Sequence, residues 1–166
     1  MNLNYFSAKI KKGYLSQGYG KTQFARLSSG YLEPKHNGID IVAVSGAPVY
    51  SPIKGSVLSI GDQDAYCRKR GYGKFIVMKS LEDKVILLFA HLGKIKVKEN
   101  DIVNKGSPIG LVGQTGFATA PHLHFSVFST SLFAINSKSN NGCGPNPEGK
   151  DINPISYLEK SVPQVK

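Results

Sequence analysis

Apolar residues along this chain gather in short runs separated by glycine, proline and small polar clusters, a pattern of strands joined by tight turns. Residues 38–44, Gly-Ile-Asp-Ile-Val-Ala-Val, read as a β run, and Ser45-Gly46-Ala47-Pro48 as the turn after it. Short strands follow at 49–52 and 54–61, the second bounded by Gly55 and Gly61. Residues 74–79 and 85–91 flank Ser80-Leu81-Glu82-Asp83-Lys84 at hairpin spacing. Glycines 106, 110 and 113 punctuate further short strands that close a compact sheet. In the last clear strand, 122–128, Leu123, Phe125 and Val127 fall on one face and His122, His124 and Ser126 on the other. One face reads as core and the other as a site.

Between these elements lie the expected loops. Residues up to Gly20 form an extended lead-in, 62–73 a polar loop, and 114–121 a loop feeding the last strand. Residues 129–150, rich in Ser, Asn, Gly and Pro, are expected to be a long surface loop or insertion around an apolar patch at 132–135. Residues 151–158 close the fold and 161–166 fray. No repeat and no linker divides the chain, so one domain over 1–166 is expected, with its core at about 16–158.

Composition supports a mostly β protein with little helix. The chain has 166 residues, enough for one real core, and its 18 glycines and nine prolines exceed what a helical bundle tolerates. The formal net charge of +10 points to a polyanion nearby. The basic residues are scattered, with only Arg68-Lys69-Arg70 as a block, and they form neither an aromatic-basic platform nor a helix-turn-helix. Specific nucleic-acid binding is therefore not expected, whereas anionic wall polymers would suit the charge. No segment approaches the ~20 apolar residues of a membrane span. Residues 1–12 lack the apolar stretch of a secretory signal, so a mature fragment or a phage-delivered protein is expected. Cys67 and Cys143 are either one disulfide between two loops or two free surface thiols.

Candidate chemistry concentrates in the four histidines. His36 and Asp40 stand at i, i+4, His122 and His124 at i, i+2, and His91 ends an apolar run. On strands, each spacing puts its pair on one face. Imidazoles with one carboxylate are what a catalytic Zn²⁺ takes while keeping a position open for water. Three of the five groups would bind metal and two would remain for proton transfer, beside a water whose pKa falls from 15.7 toward ~7. Spacing alone does not say which three. A lone His at a strand end or a single His-x-His is also common in a core, so the concentration of all the histidines carries the reading.

These residues resemble the M23 (lysostaphin-type, LytM-like) zinc metallopeptidases. His36-Asn37-Gly38-Ile39-Asp40, Ala90-His91-Leu92 and His122-Leu123-His124-Phe125 match that family's motifs, and Gly55-Ser56-Val57, 109–116 and Ile152-Asn153-Pro154 stand in its order. The resemblance implies a compact antiparallel sheet of the duplicated-hybrid-motif kind, with a groove holding one zinc and long connecting loops. It implies His36, Asp40 and His124 as metal ligands and His91 and His122 as the catalytic pair. Tyr31 lies where some members place an oxyanion-stabilising tyrosine. The implied activity is a monomeric peptidoglycan endopeptidase cutting stems or cross-bridges at the bacterial wall, outside the cell or in the periplasm. Two other readings compete: an idle LytM-like regulator or wall-binding module, and a sugar phosphocarrier, which would need no Asp ligand.

Overall fold

The computed structural model describes residues 14–27, 35–137 and 143–155. The short apolar runs become strands β1 (Tyr14–Gln17), β2 (Ile39–Val42), β3 (Pro48–Tyr50), β4 (Gly55–Asp62), β5 (Lys74–Ser80), β6 (Val85–Ala90) and β7 (Leu92–Ile95). They continue as β8 (Ile102–Val103), β9 (Pro108–Val112), β10 (His122–Ser129), β11 (Ala134–Asn136), β12 (Asn146–Glu148) and β13 (Asp151–Ile152). The described α-helix in this order, α1 (Gln23–Leu27), is five residues long and was not foreseen. The expected mostly β, antiparallel architecture is what forms.

The strands do not close one sheet, however. The large sheet runs β1-β2-β10-β6-β5-β4-β8, with β13 also on β10, while β3-β9-β7 form a second sheet. The main core lies between the two. Ile39 and Ile41 of β2, Leu87 and Phe89 of β6, and Leu123, Phe125 and Val127 of β10 face β7 Leu92 and β9 Ile109 and Val112 across it. Alternation then sends Asp40, Ala90, His122, His124 and Ser126 to the opposite face of the large sheet.

That opposite face is itself half covered. Phe75, Val77, Ile86, Leu88, Ala90 and Phe128 make a second cluster, against which Phe133 and Ile135 pack. The Phe128 and Phe133 rings lie 5.5 Å apart. The stretch expected as a surface loop is thus partly a hairpin, Ala134 to Asn136 pairing with Glu148 to Asn146. It forms because its apolar patch has a second sheet face on which to be buried.

The two cysteines are joined. Cys67 in the 62–73 loop bonds to Cys143, three residues before β12, across 76 positions of sequence. Of the two open alternatives, the structure takes the disulfide. Closing so long a loop constrains the unfolded chain by about 2–4 kcal/mol. A Cys67→Ser/Cys143→Ser variant is therefore expected to melt roughly 5–15 °C below the parent. Calorimetry that finds the two melting together would show that the link does not stabilise the fold.

Candidate metal centre

The site is built on the open end of the large sheet's second face. β2 and β10 pair antiparallel with His124 directly opposite Asp40 and His122 opposite Val42. Side chains directly opposite on one face are nearest neighbours across a sheet. His36 precedes β2 and is strapped to Gly20 by two backbone hydrogen bonds, each 2.8 Å. The bend between His36 and Asp40 brings Gly38 onto β10, where a Cβ would stand 2.5 Å from the Phe125 carbonyl oxygen and the Ser126 hydroxyl. Only glycine fits there.

Three donor atoms converge. His36 Nε2 lies 3.0 Å from His124 Nδ1, His124 Nδ1 lies 3.0 Å from Asp40 Oδ1, and Asp40 Oδ1 lies 3.2 Å from His36 Nε2. All three residues are buried. A tetrahedral ion with bonds of ~2.0–2.1 Å needs ligand edges of about 3.3–3.4 Å, so this triangle fits one face of such a site with slight expansion.

The outer nitrogens explain why the inner ones are donors. His36 Nδ1 donates to the Gly18 carbonyl at 2.7 Å, which leaves Nε2 as a lone pair. His124 Nε2 pairs with Ser126 Oγ at 2.8 Å, and with its proton on that side Nδ1 is a lone pair too. Two lone pairs and a carboxylate then face one another within about a hydrogen-bond length, an arrangement that a cation stabilises. The same device holds the other two rings: His122 Nδ1 donates to the Ala120 carbonyl and His91 Nδ1 to the Thr115 carbonyl, each at 2.8 Å. His122 Nε2 lies 3.7 Å from Asp40 Oδ1, and the His91 and His122 ring centroids are 4.6 Å apart.

His91 arrives by an unexpected route. Along β6, Leu87 and Phe89 face the main core and Leu88 and Ala90 the other side, so alternation would send His91 into the main core. Its backbone instead adopts φ 59°, and both Ala90 and His91 lie on the site side before Leu92 returns to the core. A non-glycine residue in this left-handed region costs about 1–2 kcal/mol. The His91 amide bond to the Tyr72 carbonyl, 2.9 Å, and the ring bond to Thr115 hold it there.

Electrostatics follow from burial and these contacts. Burial alone would raise the Asp40 carboxyl, but the adjoining His124 and His36 imidazoles outweigh it and hold Asp40 well below the usual carboxylate range. Burial, with His124 and His122 nearby, pushes the His91 imidazole down to about 3. Burial also lowers His124, against the pull of Asp40. Tyr72 was not singled out by sequence reading. Burial raises its phenol to about 12, its oxygen accepts a 2.7 Å hydrogen bond from Asn37 Nδ2, and its ring lies 5.7 Å from that of His124. The signal available was the Gly71-Tyr72-Gly73 sequence, whose two glycines both take left-handed backbone. Tyr31 lies outside the described residues.

All five expected groups line one groove of about 1430 Å³, together with Tyr72 and Asn37. Its floor of imidazoles around a carboxylate can hold a divalent metal. Residues 34–140 match the sequence profile of peptidase family M23. The chain belongs to this family. Among M23 relatives, it is 40% identical over 93 residues to the peptidoglycan DD-endopeptidase ShyB of Vibrio cholerae, covering 55% of this chain and 20% of that protein. It is 34% identical over 122 residues to the glycyl-glycine endopeptidase ALE-1 of Staphylococcus capitis, covering 74% of this chain and 30% of that one. The catalytic domain of the antimicrobial peptidase lysostaphin from Staphylococcus simulans superimposes with a TM-score of 0.65 at 28% identity, covering 89% of this chain and 92% of that one. The chain thus spans a fifth to a third of the length of these two curated relatives. No described helix is long and apolar enough to cross a membrane.

Two expectations follow. Gly38→Ala should lose roughly 1–3 kcal/mol and weaken metal uptake, because backbone as well as side chain must move. Gly18→Ala, whose Cβ would meet nothing within 4 Å, serves as the control and should stay within about 0.5 kcal/mol in chemical denaturation. The depressed His91 pKa sets a pH slope in metal-free protein. Between about 3 and 6.5 the unfolded chain binds a proton that the folded His91 does not, so stability is full above 6.5 and is lost as pH falls toward 3. A melting profile from pH 7 to 4 should be steeper for the parent than for His91→Asn; equal slopes would contradict the burial effect.

Proposed function

We propose that this M23 chain is a zinc-dependent endopeptidase that hydrolyses peptide bonds in peptidoglycan stems or cross-bridges. The observation that carries this is the triangle of His36 Nε2, Asp40 Oδ1 and His124 Nδ1 on the floor of an open groove, with two further imidazoles beside it. The domain is read as one unit over about 16–158. The names of ShyB, a peptidoglycan DD-endopeptidase, and ALE-1, a glycyl-glycine endopeptidase, support the substrate class.

His36, Asp40 and His124 would hold one zinc ion, whose nitrogen and carboxylate donors are of the type that metal prefers. Zinc bound there supplies a Lewis acid and lowers the pKa of water toward ~7. His122 and His91 supply the proton traffic. Each has its Nδ1 hydrogen committed to a carbonyl, so the other nitrogen is the one that exchanges protons. As water adds to the scissile carbonyl carbon, one imidazole accepts its proton. As the C–N bond breaks, a proton passes to the leaving amine nitrogen. Asp40, 3.7 Å from His122 Nε2, stabilises the imidazolium that forms in between. Burial keeps His91 neutral at physiological pH, the state in which it accepts a proton or a hydrogen bond. The basic surface would favour residence at an anionic wall.

The roles separate on mutation. His36→Ala and Asp40→Ala should lose both metal, measured by elemental mass spectrometry, and wall-clearing activity. His91→Ala and His122→Ala should keep about one zinc per chain while turnover falls roughly 10²–10⁴-fold. Zinc leaving with His91→Ala would move that residue into the ligand set. Mass spectrometry of fragments released from directly cross-linked and from glycine-bridged walls identifies the bond cut; no released amine from either would overturn the endopeptidase reading.

A further inference from the structure

The basic block at 68–70 finds no use in the chemistry above, yet two of its residues, Lys69 and Arg70, line the groove that holds the histidines. Their loop is fixed rather than loose. Cys67 is tied to Cys143, and Asp64 accepts hydrogen bonds from the amides of Lys69, 2.8 Å, and Gly116, 3.0 Å. Gln63 bridges the Tyr72 amide, 2.6 Å, and the Pro145 carbonyl, 2.7 Å. Lys69 itself is held at φ 60°, a strained backbone for a side chain of this kind.

The acidic groups around the groove are already engaged. Glu148 accepts from Asn146 and Asn136, and Asp151 is paired with Lys35 at 2.6 Å. Neither Lys69 nor Arg70 forms an ion pair among the described residues. Two exposed cations therefore line a groove whose own carboxylates are occupied. Arg70 stands two residues from Tyr72, whose ring is 5.7 Å from that of His124. Arg70 and the histidines line the same groove, so a substrate lying along it can meet both.

We propose that Lys69 and Arg70 form a subsite for a free carboxylate on the peptide substrate, within a few residues of the bond cut. A guanidinium pairs with a carboxylate through two parallel hydrogen bonds, and an amide cannot replace that charge. The groove accordingly selects acidic peptides over amidated or glycine-only ones. This rests on the endopeptidase reading for the identity of the substrate.

The test uses the zinc-loaded 166-residue chain and a matched pair of stem-derived peptides, one with a free side-chain carboxylate and one with the carboxamide. Cleavage is followed by kcat/KM and binding by fluorescence anisotropy. The parent should favour the acid roughly ten-fold, less at high salt. Lys69→Asn/Arg70→Gln should bring the ratio near one, while Arg68→Gln, outside the groove lining, keeps it. Circular dichroism checks that each variant is folded, and Arg70→Gln alone should give an intermediate ratio. Equal handling of acid and amide by the parent overturns the subsite and leaves the peptidase reading standing. Acid-selective binding without cleavage, lost in the double variant, upholds the subsite while the peptidase reading fails. A preference that survives the double variant, or one shown only toward a poly(glycerol phosphate) competitor, overturns the assignment.

Discussion

The register between β2 and β10 is the constraint on which the centre depends. It sets His124 opposite Asp40, and it is maintained by the other faces of the same strands. Ile39, Ile41, Leu123, Phe125 and Val127 interlock in the main core, and a slip of one residue would turn all of them toward the histidine side. Hydrophobic packing on one face thereby positions Asp40 and His124 on the other. The site needs no separate scaffold.

Burying three imidazoles and a carboxylate beside a half-buried fourth imidazole is unfavourable unless each polar atom is answered. Here the answers come mostly from backbone. Carbonyls of Gly18, Thr115 and Ala120 accept one hydrogen bond each from His36, His91 and His122, and Ser126 serves His124. Those oxygens belong to segments outside the strands or at their ends, so the loops fix the protonation pattern of the centre. The geometry of the rings and their state as donors have a common origin.

The 62–73 loop links these levels. It meets the hairpin through Cys67 and Gln63, the 113–118 loop through Asp64, and His91 through the Tyr72 carbonyl. One wall of the groove, the cover on the second sheet face and the strained backbone of His91 are therefore one mechanical unit.

Strands β2 to β6, β9 and β10, the faces of β10 and the membership of the five-residue cluster were legible in the sequence, because alternation with period two and the spacings His36–Asp40 and His122–His124 are local properties of a chain. Other features were not legible. The division into two main sheets depends on which strand edges meet, and the packing of 133–135 depends on an apolar face that another part of the chain supplies. The pairing of Cys67 with Cys143, the arrival of Tyr72 and Asn37, and the left-handed turn at His91 likewise need partners dozens of residues away. His91 makes the distinction plain. By alternation alone it belongs to the core, and only the Tyr72 and Thr115 carbonyls, brought to it by tertiary folding, compensate the strained backbone that places its ring beside His122. Local order determined which histidines and carboxylate would share a face; the long-range contacts decided where each one stands.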